Sequence, residues 1–277
     1  MPRERVLITV KTYPTLSRKY GETVCTAGLR PDGTWMRIYP VPFRRLNETE
    51  QYAKFDWIET DFVRGTADPR PETHHPVDCS TMQRVEHLGT ADNWRERRKL
   101  VLEKAQVFDR LEPLIAGAKA NRLSLAVFKP AKLRGFIWED EDREWDSDKL
   151  AQMRESSRQY EIFADEAWRQ TFQVIPKVPY SFSYQFEDAD GRKSTLQVLD
   201  WECSQLYWNC LHATRDEDED EALAKVKAKY LGEFGQRDLH FFLGTTQQHH
   251  FTAPNPWVII GVFAPPFVQQ LELPIEG

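Results

Sequence analysis

The sequence predicts an α+β protein, rich in strands and organised as two small barrels with helices packed on or inserted between them. Three observations carry that expectation. The apolar stretches are dominated by β-branched and aromatic residues, which favour strands. They are short and separated by turn residues, as in small barrels. Only a few segments repeat with a helical period. With 277 residues, 40% of them hydrophobic and 12% aromatic, the chain can bury a real core in one large or two ordinary domains. The expected division is 1–120 and 121–277.

The first strand is Arg5 to Tyr13, ended by Pro14. Glu22 to Gly28 and Thr34 to Tyr39 flank Pro31-Asp32-Gly33, whose proline and glycine preset turn dihedrals, and they form the clearest hairpin. Phe55 to Arg64 alternates apolar and acidic residues, and Gly65 to Pro76, rich in Pro, Asp and Thr, reads as a loop. From Asp92, the residues Trp94, Val101, Ala105, Phe108, Leu111 and Ile115 recur at three- and four-residue steps, predicting one amphipathic helix that ends near Gly117. The second half repeats the style. A strand at Leu123 to Phe128 is followed by an acidic linker and a helix over Asp148 to Phe163. A hairpin joins Tyr180–Phe186 to Ser194–Leu199 through Asp188 to Gly191. Helices at Glu202–Leu211 and Glu221–Phe234 follow, and the closing strands are Asp238–Leu243 and Trp257–Phe263.

Net charge is −6, which argues against a polyanionic partner, but its distribution is uneven. Glu139 to Asp146 carries −5 and Asp216 to Glu221 carries −6, leaving the remainder at +5. The first 46 residues hold nine Lys and Arg against Glu4, Glu22 and Asp32. One basic face is therefore available, while the acidic segments could contact a basic protein partner. The opening residues hold too short an apolar run for a signal peptide. The longest apolar stretch, Trp257 to Pro266, is half of the roughly 20 residues a membrane span needs. Four scattered cysteines without a C-x-x-C pair read as reduced thiols. The expected location is the cytoplasm, with no membrane partner.

Cys25-Thr26-Ala27-Gly28-Leu29 followed by Asp32-Gly33-Thr34-Trp35-Met36-Arg37 resembles the opening hairpin of the dual OB-containing domain family, in which a C-x-A-G…dG-x-W-x-R-P pattern is usual. Pro71 to His75, the pair Phe182–Phe186 and Leu196–Asp200, and the pair Phe241–Thr245 and Val258–Val262 resemble later pieces of that family in order. Here Tyr39-Pro40 follows Arg37, where the family places its proline sooner. The resemblance implies two small OB-like barrels, an association with nucleic-acid metabolism or mobile-element and phage defence, and no defined catalytic centre.

Lys11, Tyr13, Arg18, Lys19, Tyr20, Arg37, Tyr39, Arg44 and Arg45 interleave cations with rings, the composition by which an OB groove neutralises phosphates and stacks bases. Arg37, in phase with Trp35, stands out because a planar guanidinium can fork onto phosphate. His74 in the Pro-rich segment and Thr245, Gln247 and His249 in the loop between the last strands complete the candidate binding set. Neighbouring His74 and His75, or His249 and His250, point to opposite faces of an extended segment, so no metal is expected. Asp200-Trp201-Glu202 with Lys193 has the wrong spacing for a metal nuclease, and Asp200 reads as a helix cap. Trp201 and Trp208, one heptad apart, read as packing. Phosphate-loop, dinucleotide, nucleophile-elbow and deaminase motifs are absent from the sequence. The expectation is a non-catalytic recognition or sensor protein for single-stranded or modified nucleic acid, without cofactor. The alternative is a nucleotide- or nucleic-acid-processing enzyme, a metal-dependent hydrolase, centred on Glu72, His74, His75, His249 or Asp200; a third reading is a protein-interaction module using the acidic segments.

Overall fold

Val6-Leu7-Ile8-Thr9-Val10 offers nothing to water, and its surroundings explain why: β1 (Glu4–Lys11) is covered on both faces. The computed structural model describes residues 3–17, 21–46, 51–148, 150–151 and 174–268. The predicted helix over Asp148 to Phe163 lies almost wholly outside them. The protein is α+β and rich in strands.

The first half forms an eight-stranded sheet. Beside β1 stand β2 (Thr15–Ser17), β3 (Gly21–Leu29), β4 (Trp35–Val41), β5 (Asp56–Thr60), β6 (Phe62–Arg64), β7 (Thr73–Pro76) and β8 (Gln83–His87). Their order is β6-β7-β4-β3-β1-β5-β8, with β2 on β3, and only β4 and β7 run parallel. The β3–β4 hairpin is the predicted one. Gly33 sits at φ +87°, and a Cβ there would press within 2.5 Å of the Lys104 carbonyl. Gly28 lets β3 approach β1, since a Cβ would lie 2.3 Å from the Leu7 oxygen. The Pro-rich segment read as a loop contains β7, recruited by Arg37 and Ile38 opposite Thr73 and His74.

A bulge between Ile8 and Val10 moves Val10 to the face of Leu7. Two apolar layers result. Val6, Ile8, Met36, Ile38, Ile58, Phe62 and Met82 pack together on one face of the sheet. Leu7, Val10, Leu29, Phe55 and Trp57 pack against Phe242, Ile260 and Phe263 of the second half. The halves thus share a core.

The expected helix from Asp92 to Gly117 is broken. Helix α1 (Ala91–Arg98) runs on through a π turn, Lys99–Lys104, and then β9 (Val107–Phe108) intervenes before α2 (Leu111–Lys119). The break is tertiary in origin: β9 pairs in parallel with β10 (Leu125–Phe128), and the Asp188 carboxylate accepts the Leu111 N–H at 3.1 Å. β14 (His240–Thr245) and β15 (Trp257–Phe263) complete the order β15-β14-β10-β9. A separate sheet joins β11 (Lys132–Asp140), β12 (Tyr180–Glu187) and β13 (Lys193–Gln197). Helices α3 (Trp201–Ala213) and α4 (Glu219–Lys227) close its core around Phe136, Tyr184, Tyr207 and Phe241. β11 runs into the acidic segment with its last two residues, Glu139 and Asp140. No helix among the described residues is long and apolar enough to cross a membrane.

Candidate anion site at the junction of the two halves

The site begins with an unusual backbone. Phe55, just before β5, has φ +67°, a region that costs a bulky residue about 1–3 kcal/mol unless its surroundings impose it. Here they do. The Phe55 N–H donates to the Ile8 carbonyl, and its own carbonyl accepts the Leu88 N–H at 2.8 Å. The consequence is two charged neighbours held inside the protein, Lys54 and Asp56, which are 8% and 2% exposed.

Lys54 Nζ lies 2.8 Å from Glu202 Oε2 and 3.3 Å from Asp200 Oδ2, so residues from both halves meet. Asp200 is fully buried and caps α3 by accepting the Glu202 N–H, as expected from sequence. Burial pushes its carboxyl up to about 6, against the pull of Lys54. Burial works against the Lys54 charge, but Asp200 and Glu202 outweigh it and hold the ammonium above its usual range.

Two more cations feel the charge of Glu202. Lys11 Nζ lies 4.2 Å from the Phe43 ring centre and 4.8 Å from that of Trp201. Burial lowers its pKa while Glu202 opposes the shift. The Arg97 guanidinium lies 3.9 Å from the Phe55 ring centre and 5.1 Å from that of Trp94. Burial brings it down to about 10, again opposed by Glu202 and then Asp56. Arg97 can only donate, so its 3.3 Å contact makes His87 Nε2 an acceptor, and His87 Nδ1–H donates to Asp56 at 2.7 Å. Glu202 itself is 59% exposed. One accessible carboxylate therefore stands among three partly or wholly desolvated cations, with aromatic rings alongside. Such a centre can hold an anion.

Of the residues expected to bind, Lys11 and Tyr13 belong to this region. The Tyr13 hydroxyl accepts from Trp208 Nε1 at 3.0 Å and donates to the Pro176 carbonyl at 2.8 Å. Burial raises it to about 12. Its ring meets Trp201 edge-on at 6.1 Å, so Trp201 joins Lys11 to Tyr13. Arg44 donates to Glu22 at 2.7 Å. Tyr39 is half-buried, before a cis bond to Pro40. Arg45 ends the 3-10 turn Phe43–Arg45, and Arg18, Lys19 and Tyr20 lie outside the described residues.

Arg37 requires a correction. It is in phase with Trp35, as expected, but that face is covered by the second half and Arg37 is 1% exposed. Its Nη2 donates to the Ser124 carbonyl and hydroxyl at 2.9 and 3.0 Å, and its Nη1 to Cys25 Sγ at 3.4 Å. It cannot reach a phosphate from there. It belongs to a second polar junction, where Glu72 accepts the Ser124 N–H at 2.8 Å and Arg70 forks onto Asp68 at 2.6–3.1 Å and donates to the Thr245 carbonyl.

The two loops singled out from sequence meet at this same junction. Gln247 Nε2 donates to the Ala67 carbonyl at 3.1 Å. Thr245 is 2% exposed; its hydroxyl lies 2.8 Å from His250 Nδ1, whose Nε2 lies 3.0 Å from Asn121 Oδ1. His250 is buried and His249 is exposed. His74 Nδ1 donates to the Glu72 carbonyl at 2.8 Å, and burial, reinforced by Arg30, lowers its pKa. Lys193 stands opposite Glu187 on β13, away from Asp200, which takes Lys54 instead. The two acidic segments are joined by Arg143, which grips Glu219 at 2.6 and 2.9 Å. Among the described residues, no three His, Cys, Asp or Glu side chains are grouped to hold a metal. Sequence reasoning missed Lys54, Arg97 and Asp56 as site residues; Lys54 is defined by contacts across 146 and 148 positions, and Asp56 and Arg97 meet through His87.

The fold and junction define a two-part α+β protein with an accessible carboxylate, Glu202, where its halves meet. The chain belongs to the family described as Domain of unknown function (DUF8757), whose model matches residues 105–275. Residues 2–103 match a second model, Domain of unknown function (DUF8758). No curated protein matches the chain. Among solved structures, "Structure of murine DNA binding protein bound with ds DNA" aligns over 98% of this chain and 99% of that chain. Its identity is 8% and its TM-score 0.31, a likeness too low to carry an argument.

Proposed function

We propose that the protein recognises single-stranded nucleic acid without catalysing its conversion, and that a backbone phosphate takes the place of Glu202 among Lys11, Lys54 and Arg97. The observation that carries this reading is the exposed Glu202 carboxylate in the field of all three cations. Two of those cations lie over aromatic rings, and the half-exposed rings of Trp201 and Trp94 offer faces for bases. The burial of Asp200, with its oxygens spent on Lys54 and on the cap of α3, favours binding over acid–base catalysis at this centre. The apolar layer from Val6 to Met82 supports the small OB-like barrel expected for the first half, and β1 and β5 of its sheet supply or border the cations.

The test is a fluorescence-anisotropy titration of labelled single-stranded and duplex DNA and RNA at two salt concentrations. Single strands are expected to bind in a salt-sensitive manner, and Lys11→Ala to weaken binding and reduce the salt slope by about one. Folded protein that leaves all four nucleic acids free at low salt would falsify the reading.

A further inference from the structure

Beside Tyr13 the two halves line a second feature, a half-open cavity of about 220 Å³. Tyr13 and Thr15 wall it from the first half, Trp145 and Phe182 from the second, and Ser204 of α3 lies in its lining. Its volume is below the roughly 300–1,000 Å³ of pockets for drug-sized ligands, and suits one planar ring system. The walls are aromatic and the edges are polar. Ser204, 8% exposed, is one of the buried polar residues of that lining. Gln197, whose amide N–H donates to Ser181 at 2.9 Å, and Thr15 add polar groups to the lining.

We propose that this cavity receives one unstacked base of a bound single strand, its ring against Tyr13 and Trp145 and its polar edge on Ser204 and Gln197. The inference rests on the strand-binding reading. Its added support is continuity: Lys11, Trp201 and Tyr13 form an unbroken row from the anion site to the cavity wall. A phosphate held at Lys11 places a neighbouring nucleotide at Tyr13. The aromatic walls attract any base through its face, and the three polar groups at the edge discriminate among bases.

The experiment compares a single strand with the same strand carrying one abasic residue, moved position by position. For the wild type, one position is expected to cost about tenfold in affinity when its base is removed, in line with the loss of one stacked base. Thr15→Trp, at the exposed rim, fills the cavity and is expected to abolish that positional penalty, with an unchanged melting temperature showing that the variant is folded. Ser204→Ala adds no bulk, and is expected to narrow the difference between bases at that position while abasic strands bind as before. Strands that bind equally well with or without each base, or a penalty that survives in Thr15→Trp, overturn the cavity proposal and leave strand binding standing. Failure of every strand to bind overturns the reading beneath it. Binding of free nucleoside monophosphates without any strand binding overturns the proposal in favour of a small-ligand site.

Discussion

The two halves meet at two polar junctions, and these differ in what becomes of their charge. At the junction of Arg37, Arg70, Asp68 and Glu72, every one of the four side chains makes hydrogen bonds to protein groups, and three of them are 6% exposed or less. At the junction of Lys11, Lys54 and Arg97, the cations are also desolvated, but the carboxylate that answers all three is more than half exposed. The first arrangement fixes geometry, and its burial closes it to a ligand. The second holds a counter-ion that a ligand can replace. Burial of a cation alone therefore does not distinguish a strut from a site; the exposure of its partner does.

The comparison predicts its largest effect at the closed junction. Arg70→Ala leaves Asp68 buried and unpaired, and urea denaturation should show a loss of about 3–5 kcal/mol. Arg37→Lys keeps the charge but cannot bridge Ser124 and Cys25 together, and should cost about 1.5–3 kcal/mol. If either variant melts like the wild type, the closed junction is not the strut described here.

Asp200 gives the next effect, through pH. Its carboxyl is at about 6 in the folded protein against 3.8 ordinarily, so the folded state binds the proton more tightly than the unfolded one. This group's contribution is full below pH 4 and declines as pH rises to about 6, by roughly 3 kcal/mol at most. Asp200→Asn should flatten that part of the stability–pH curve, which denaturation at several pH values would reveal. An unchanged slope would contradict the burial assigned to this carboxyl.

Strand affinity supplies the smaller effects. Trp201→Ala should weaken binding by about 1–3 kcal/mol with no change in salt slope, because a ring is lost and no charge. His74→Ala should leave affinity at pH 7 within about twofold, since burial keeps the imidazole neutral there. A large His74 effect would move the interface to the closed junction and reverse the comparison.

Much of the architecture is legible in local chemistry. Pro31-Asp32-Gly33 specifies its turn, and Asp200 announces the start of α3. The failures have tertiary causes. The helical period from Trp94 to Ile115 is real, but an Asp188 cap supplied from 77 positions away divides it between α1 and α2. β8 is exposed at every residue, so it carries no alternation to read. Alternation places Arg37 on the face of Trp35, as found, but cannot show that the second half covers that face. The site is half legible for the same reason. Lys11 and Tyr13 advertise themselves by composition, whereas Lys54 and Arg97 become meaningful only when Glu202 is folded against them.

The most direct measurement is the affinity of a single strand for wild type and Glu202→Gln across a range of salt. If Glu202 occupies the place of a phosphate, the glutamine variant binds several-fold tighter, with the gain largest at low salt. Equal or weaker binding by a folded Glu202→Gln protein would contradict the account.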